Sequence, residues 1–167
     1  MKQLVLLIAV SMILFSCGSK STGKETENLA IAHKYMEAIE TKNVATMDSL
    51  MSPAYIGYGP SVGDSVSKEE ALESFKYNAE NLYESYKYTY SKEMAVTVTE
   101  GDGIGDWVLN WAQLTIKYKD GRGPINLWVN AVYQIEDGKI VYSRTFYNEA
   151  DVLRQLGYTI EPPADSH

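Results

Sequence analysis

Leu29, Ala32, Met36 and Ile39 recur at the spacing of one helix face, and after Asn43 the residues Val44, Met47 and Leu50 repeat that spacing over a shorter span. Two helices packed beside the mouth of a pocket are expected from the stretch between Tyr35 and Pro60. Pro53 is expected to stop the second helix, because its ring removes the backbone N–H. The run Tyr55, Ile56, Gly57, Tyr58, Gly59, Pro60 then reads as a short strand ending in a turn. Ser67, Lys68, Glu69 and Glu70 fit a capping box, in which Ser and Glu satisfy each other's free backbone donors. Behind it, Ala71, Leu72, Phe75, Ala79 and Leu82 keep helical period to about Tyr83.

From Tyr86 the period shortens to two. Tyr86, Tyr88 and Tyr90 alternate with Lys87 and Thr89, and Ala95 to Thr99 is rich in β-branched residues, so two strands or one bulged strand fit. The tyrosine stripe is expected to pack under the third helix. Trp107 to Tyr118 is a long strand, and Lys119 to Pro124 is a turn by composition. Ile125 to Ile135 and Lys139 to Tyr147 flank Asp137-Gly138, a dipeptide suited to a tight hairpin because both central residues take positive φ. A two-residue turn sets Glu136 opposite Lys139, Asn130 opposite Thr145 and Trp128 opposite Tyr147, giving one polar and aromatic face. A short helix from Glu149 to Leu156, ended by Gly157, closes the pattern.

The 167 residues suit one domain. A formal charge of −7 without clustered Lys or Arg excludes a nucleic-acid partner. Thirteen Tyr and three Trp against three Phe favour rings with a polar handle, as a pocket or a dimer face would use. At the N-terminus, Leu4 to Phe15 is shorter than the roughly 20 residues that cross a bilayer as a helix, and reads as the apolar part of a signal peptide over residues 1–16. Leu14-Phe15-Ser16-Cys17-Gly18 resembles the bacterial lipobox, which implies that Cys17, the sole cysteine, carries lipid and anchors the chain at the cell envelope, facing the periplasm. Residues 17–27 are small and polar and read as a tether, 28–160 as the folded domain, and 161–167 as a loose tail. His33 reads as a surface residue, and with His167 in the tail no metal site is expected. No cofactor is expected either.

Three helices followed by a long curved antiparallel sheet resemble the α+β, cone-shaped fold of nuclear transport factor two-like and SnoaL-like proteins. The stretch from Lys34 to Pro60 is similar to the opening of bacterial ketosteroid isomerases without a gap, and Leu153-Arg154-Gln155-Leu156-Gly157 resembles a SnoaL-like ending. The resemblance implies that Tyr35 holds the place of an oxyanion-hole tyrosine and Asn130 that of a protonated aspartic acid. It also sets Gly59 where those isomerases keep their general base. Asp48 and Asp64 are the nearest other carboxylates, and both are expected to point away from the pocket. Ordinary core packing is the other reading of Tyr35 and Asn130. The candidate ligand contacts are Tyr35, Tyr55, Tyr58, Trp111, Trp128, Asn130 and Tyr147. With donors present and the base absent, the expected function is binding of a small hydrophobic molecule bearing a phenol or carbonyl. The alternatives are an enzyme acting on an enol or aldol carbonyl, and an accessory protein that forms a homodimer.

Overall fold

The computed structural model describes residues 23–161, so the expected signal peptide, Cys17 and the tail beyond Glu161 lie outside the described residues. Helix α1 (Gly23–Glu40) starts inside the stretch read as a tether. Lys24 ties its first turn to the sheet through Asp106 Oδ2 at 2.5 Å, and Asn28, one turn on, is already buried. Ala32, Tyr35, Met36 and Ala38 form its buried side. The chain reverses at Lys42, whose φ is 55°, and Asn43 caps α2 (Val44–Leu50) by accepting from the Thr46 N–H at 3.0 Å.

Strand β1 (Met51–Tyr58) begins directly after α2, four residues earlier than expected. Pro53 therefore sits in a strand and does not itself end the helix. It lies within the break in pairing register between Met51 and Ile56, a place where a missing N–H costs no ladder bond. After β2 (Ser65–Ser67) the predicted capping box is formed in full and opens α3 (Lys68–Tyr77). The helical period past Tyr77 belongs to a π-helical turn over Asn78–Leu82, which passes straight into β3 (Tyr83–Val98). That strand is one bulged strand, with the irregularity between Thr89 and Lys92 and a φ of 52° at Tyr90. The bulge splits the tyrosine stripe. Tyr86 is buried and stacks on Phe75 of α3 at 5.9 Å, whereas Tyr90 is 75% exposed.

β4 (Gly105–Tyr118), β5 (Ile125–Glu136) and β6 (Lys139–Tyr147) complete a six-stranded sheet in the order β2-β1-β6-β5-β4-β3, and α4 (Glu149–Gln155) follows. The sheet is mixed, because β1 runs parallel to β6. The β5–β6 hairpin turns at Asp137 and Gly138 with φ of 48° and 73°, as a tight hairpin requires. Glu136 faces Lys139 as counted, but an irregularity between Gln134 and Ile135 moves the register by one. Asn130 consequently faces Phe146, and Tyr147 faces Val129.

Alternate residues of β5 decide the two faces of the sheet. Ile125, Leu127, Val129, Ala131, Tyr133 and Ile135 are buried on the concave side, where they join Val108 and Ala112 of β4 and the inner faces of α1 and α2. Trp111, Trp128 and Phe146 are exposed on the convex side by 42%, 65% and 44%.

Candidate functional site

Between the concave face and the helices the sheet encloses a cavity of about 630 Å³. Tyr35 reaches it from α1, Tyr55 from β1, Tyr88 from β3, Tyr133 from β5, and Ser143, Thr145 and Tyr147 from β6. Apolar walls come from Ile39, Leu114, Leu127 and Val129. The segment after β1 forms the mouth, with Gly59, Pro60, Asp64 and Val66.

Tyr55 is the centre of the polar part. It is 4% exposed, and its hydroxyl shares a 2.6 Å hydrogen bond with Ser143 Oγ. Tyr35 lines the same part of the cavity, so three hydroxyl-bearing side chains from three elements are brought to one region. Gly57 makes this possible: a Cβ at that position would stand 2.5 Å from Tyr55 Oη, so only glycine lets the ring lie across its own strand. Tyr35 and Tyr133 meet edge to face at 5.7 Å behind it.

Burial pushes the Tyr35 and Tyr133 phenols well above their ordinary value, and it raises Tyr55 and Tyr88 as well. These hydroxyls therefore stay protonated at neutral pH and act as donors, not as bases. Deeper in the cone, Asn110 is 1% exposed and donates through Nδ2 to Ser91 Oγ at 2.6 Å and Glu93 Oε1 at 3.1 Å. The other oxygen of Glu93 meets His33 Nε2, so the mostly exposed His33 holds a buried carboxylate. Among the described residues no group of three His, Cys, Asp or Glu side chains is placed to hold a metal.

Of the residues singled out in the sequence, Tyr35, Tyr55, Tyr58 and Tyr147 line the cavity. Tyr58 does so at the edge, since its ring meets the Tyr142 ring at a tilt of 37° and 5.2 Å and carries Arg144 at 4.7 Å from its centroid. Trp111, Trp128 and Asn130 do not line it. They occupy the convex face, where Asn130 Nδ2 donates to the Asn110 carbonyl at 3.2 Å. The inward places beside Asn130 belong to Val129 and Ala131. The signal was present in β5 itself: every odd position from Ile125 to Ile135 is apolar or Tyr, while Asn126, Asn130 and Gln134 fall between them.

Asp64 is the second correction. It lines the cavity mouth, with Oδ2 3.3 Å and Cβ 3.4 Å from the point where a Gly59 side chain would begin. The turn that brings it back is closed by the Asp64 N–H on the Ser61 carbonyl at 3.3 Å. No sequence spacing announces this return. Asp48, in contrast, is 57% exposed on its side chain and paired with Lys68 at 2.7 Å, away from the cavity. Tyr88, Tyr133 and Ser143 also went unread as site residues.

Comparison with known proteins agrees with this architecture. A phenazine biosynthesis-related protein from Pseudomonas aeruginosa superposes with a TM-score of 0.67 at 16% identity, over 92% of this chain and 95% of that one. An LEH-like epoxide hydrolase from M. tuberculosis gives 0.63 at 14% identity, over 80% and 91%. A protein of ketosteroid isomerase-like fold from Catenulispora acidiphila, solved with trimethylamine, gives 0.60 at 16% identity, over 79% and 97%. At such identities the likeness shows the fold. No curated protein matches the chain in sequence. The profile of the SnoaL-like domain matches residues 32–143, a span that runs from α1 to the Ser143 hydroxyl of the cavity, and the chain belongs to that family.

Proposed function

We propose that the cavity receives a small, largely apolar molecule and orients it by a carbonyl or hydroxyl oxygen against the Tyr35, Tyr55 and Ser143 hydroxyls. The observation that carries this reading is the combination of a volume of about 630 Å³, apolar walls and a buried, hydrogen-bonded Tyr55–Ser143 hydroxyl pair beside Tyr35. A volume of that size suits a ligand of one to three rings. Phenols kept protonated by burial supply hydrogen bonds at any physiological pH. The neighbouring structures named for phenazine biosynthesis and epoxide hydrolysis are consistent with a cavity for small molecules.

Native mass spectrometry of the chain, purified gently from its own cells, tests the proposal against a Tyr55→Phe, Ser143→Ala variant. A small-molecule adduct on the parent that the variant loses supports the site. An adduct retained in the variant moves binding away from these hydroxyls. Turnover of a bound carbonyl by the same cavity would load the Tyr35 hydroxyl in the transition state, and a Tyr35→Phe variant with unchanged rate excludes that version. The exposed Trp111, Trp128 and Phe146 favour a second use of the molecule, an interface on the convex face, which sedimentation at high concentration would reveal as a dimer. We also propose that Cys17 tethers the domain to the envelope membrane. Labelled fatty acid incorporated by the parent but not by Cys17→Ser supports that anchoring.

A further inference from the structure

The cavity lining has an unusual charge inventory. Eight of its residues are tyrosines, at 35, 55, 58, 83, 88, 118, 133 and 147, and among the described residues none of the lining is Lys, Arg or His. Its single ionisable carboxylate is Asp64, which has no ion pair and no side-chain hydrogen bond within the described residues. That exposed carboxylate stands at the mouth of an aromatic cavity. The aromatic rings already accept cations at their outer edge. Arg144 rests on the Tyr58 ring at 4.7 Å and Arg122 on the Tyr118 ring at 5.0 Å, both guanidinium groups standing outside the lining.

We infer that the ligand class of this cavity is an organic cation, an apolar body ending in a tertiary or quaternary ammonium group that sits among the tyrosine rings beside Asp64. This inference rests on the reading that the cavity binds a small molecule and names the chemistry of its charged end. The reasons are electrostatic and steric. A carboxylate or phosphate in the ligand would find no cation in the lining and would lie against Asp64. An alkylated ammonium spreads its charge under methyl groups, loses little hydration on entering an aromatic cavity, and is attracted by ring faces and by one carboxylate together. Gly59 contributes by its missing side chain: the space a Cβ would claim lies 3.3 Å from Asp64 Oδ2, so the glycine leaves the carboxylate room at the mouth.

The test uses a matched pair, 4-hydroxyphenyltrimethylammonium and its neutral isostere 4-tert-butylphenol, titrated calorimetrically into the detergent-solubilised full chain at about pH 6, where the phenols of both probes are neutral. The expected result is tighter binding of the cation by about tenfold, the order of one desolvated cation–ring contact. Asp64→Asn is expected to narrow that ratio about threefold, and added salt should act like the substitution. Equal or tighter binding of the isostere overturns the inference while leaving the cavity as a binding site. Failure of both probes to bind overturns the inference and the binding reading together. A ratio that Asp64→Asn leaves intact removes Asp64 from the site.

Discussion

The concave and convex faces of the sheet are built from alternate residues of the same strands, yet they obey different constraints. On the concave side of β5, Val129, Ala131 and Tyr133 are 7%, 5% and 4% exposed and tied into helices and cavity. One position away, Trp128 is 65% exposed and Asn130 spends its side chain on a neighbouring backbone carbonyl. The polar groups follow the same division. The Tyr55 and Ser143 hydroxyls, turned inward, are paired with each other, whereas Arg144 and Trp111 are turned outward. The lesson is that residue type alone does not mark a site in a strand. The face does, and the face is fixed by a period of two.

Substitutions on the two faces of one strand sharpen this contrast. Tyr133→Ala should lower the unfolding free energy by about 3–5 kcal/mol, the range for a buried aromatic truncated to Ala, read from the midpoint of chemical denaturation. An effect under about 1 kcal/mol would mean that the concave face is not the core.

Alkaline pH attacks the same face by another route. Burial raises the Tyr35, Tyr88 and Tyr133 phenols, so above about pH 10 the unfolded chain releases protons that the folded chain keeps. The unfolded state then binds fewer protons, and stability falls as pH rises. The expected profile is flat below about pH 10 and loses about 1.4 kcal/mol per pH unit for each such tyrosine above it. Tyr118, raised to about 12, stops contributing to the loss near that pH. A profile that stays flat well beyond pH 10 would show that these rings are not buried.

Gly57→Ala probes the boundary between strand and cavity, because its methyl would meet Tyr55 Oη at 2.5 Å. A cost of about 1–3 kcal/mol is expected from overpacking, with loss of any ligand oriented by Tyr55. Normal stability with normal binding would show that the ring has other room. The smallest effect belongs to the convex face, where Trp128→Ser should change the stability of the monomer by less than about 0.5 kcal/mol. A larger loss that depends on protein concentration would mark Trp128 as part of an interface between copies.

Much of the fold could be read along the chain wherever the information is local. The capping box at Ser67 and Glu70, the Asn43 cap, the Asp137-Gly138 turn and the helical period of α1 each depend on groups a few residues apart. The errors arose where a distant segment intervened. Pro53 was absorbed into a strand because β6 offered β1 a partner beyond it, and the helical run after Ala71 gave way at Tyr77 to a π-helical turn that feeds β3. Counting from the turn gives Asn130 the wrong partner because β6 carries one extra residue between Ile140 and Tyr142, and the resemblance sets it on the wrong face. The alternation of Ile125 to Ile135 would have placed it correctly.

By itself, then, the sequence determined the order of the elements apart from β2 and the π-helical turn, the hairpin at Asp137 and Gly138, and four tyrosines of the cavity. Tertiary structure alone decided that Tyr55 and Ser143 share a hydrogen bond across 88 positions of numbering, with Tyr35 lining the same cavity. It also decided that Asp64 returns to stand beside Gly59. The physical reason is that caps, turns and periods are short-range interactions written in neighbouring residues. The meeting of three hydroxyls or the return of a loop depends on how whole elements pack, and packing is a property of the sheet's register and curvature.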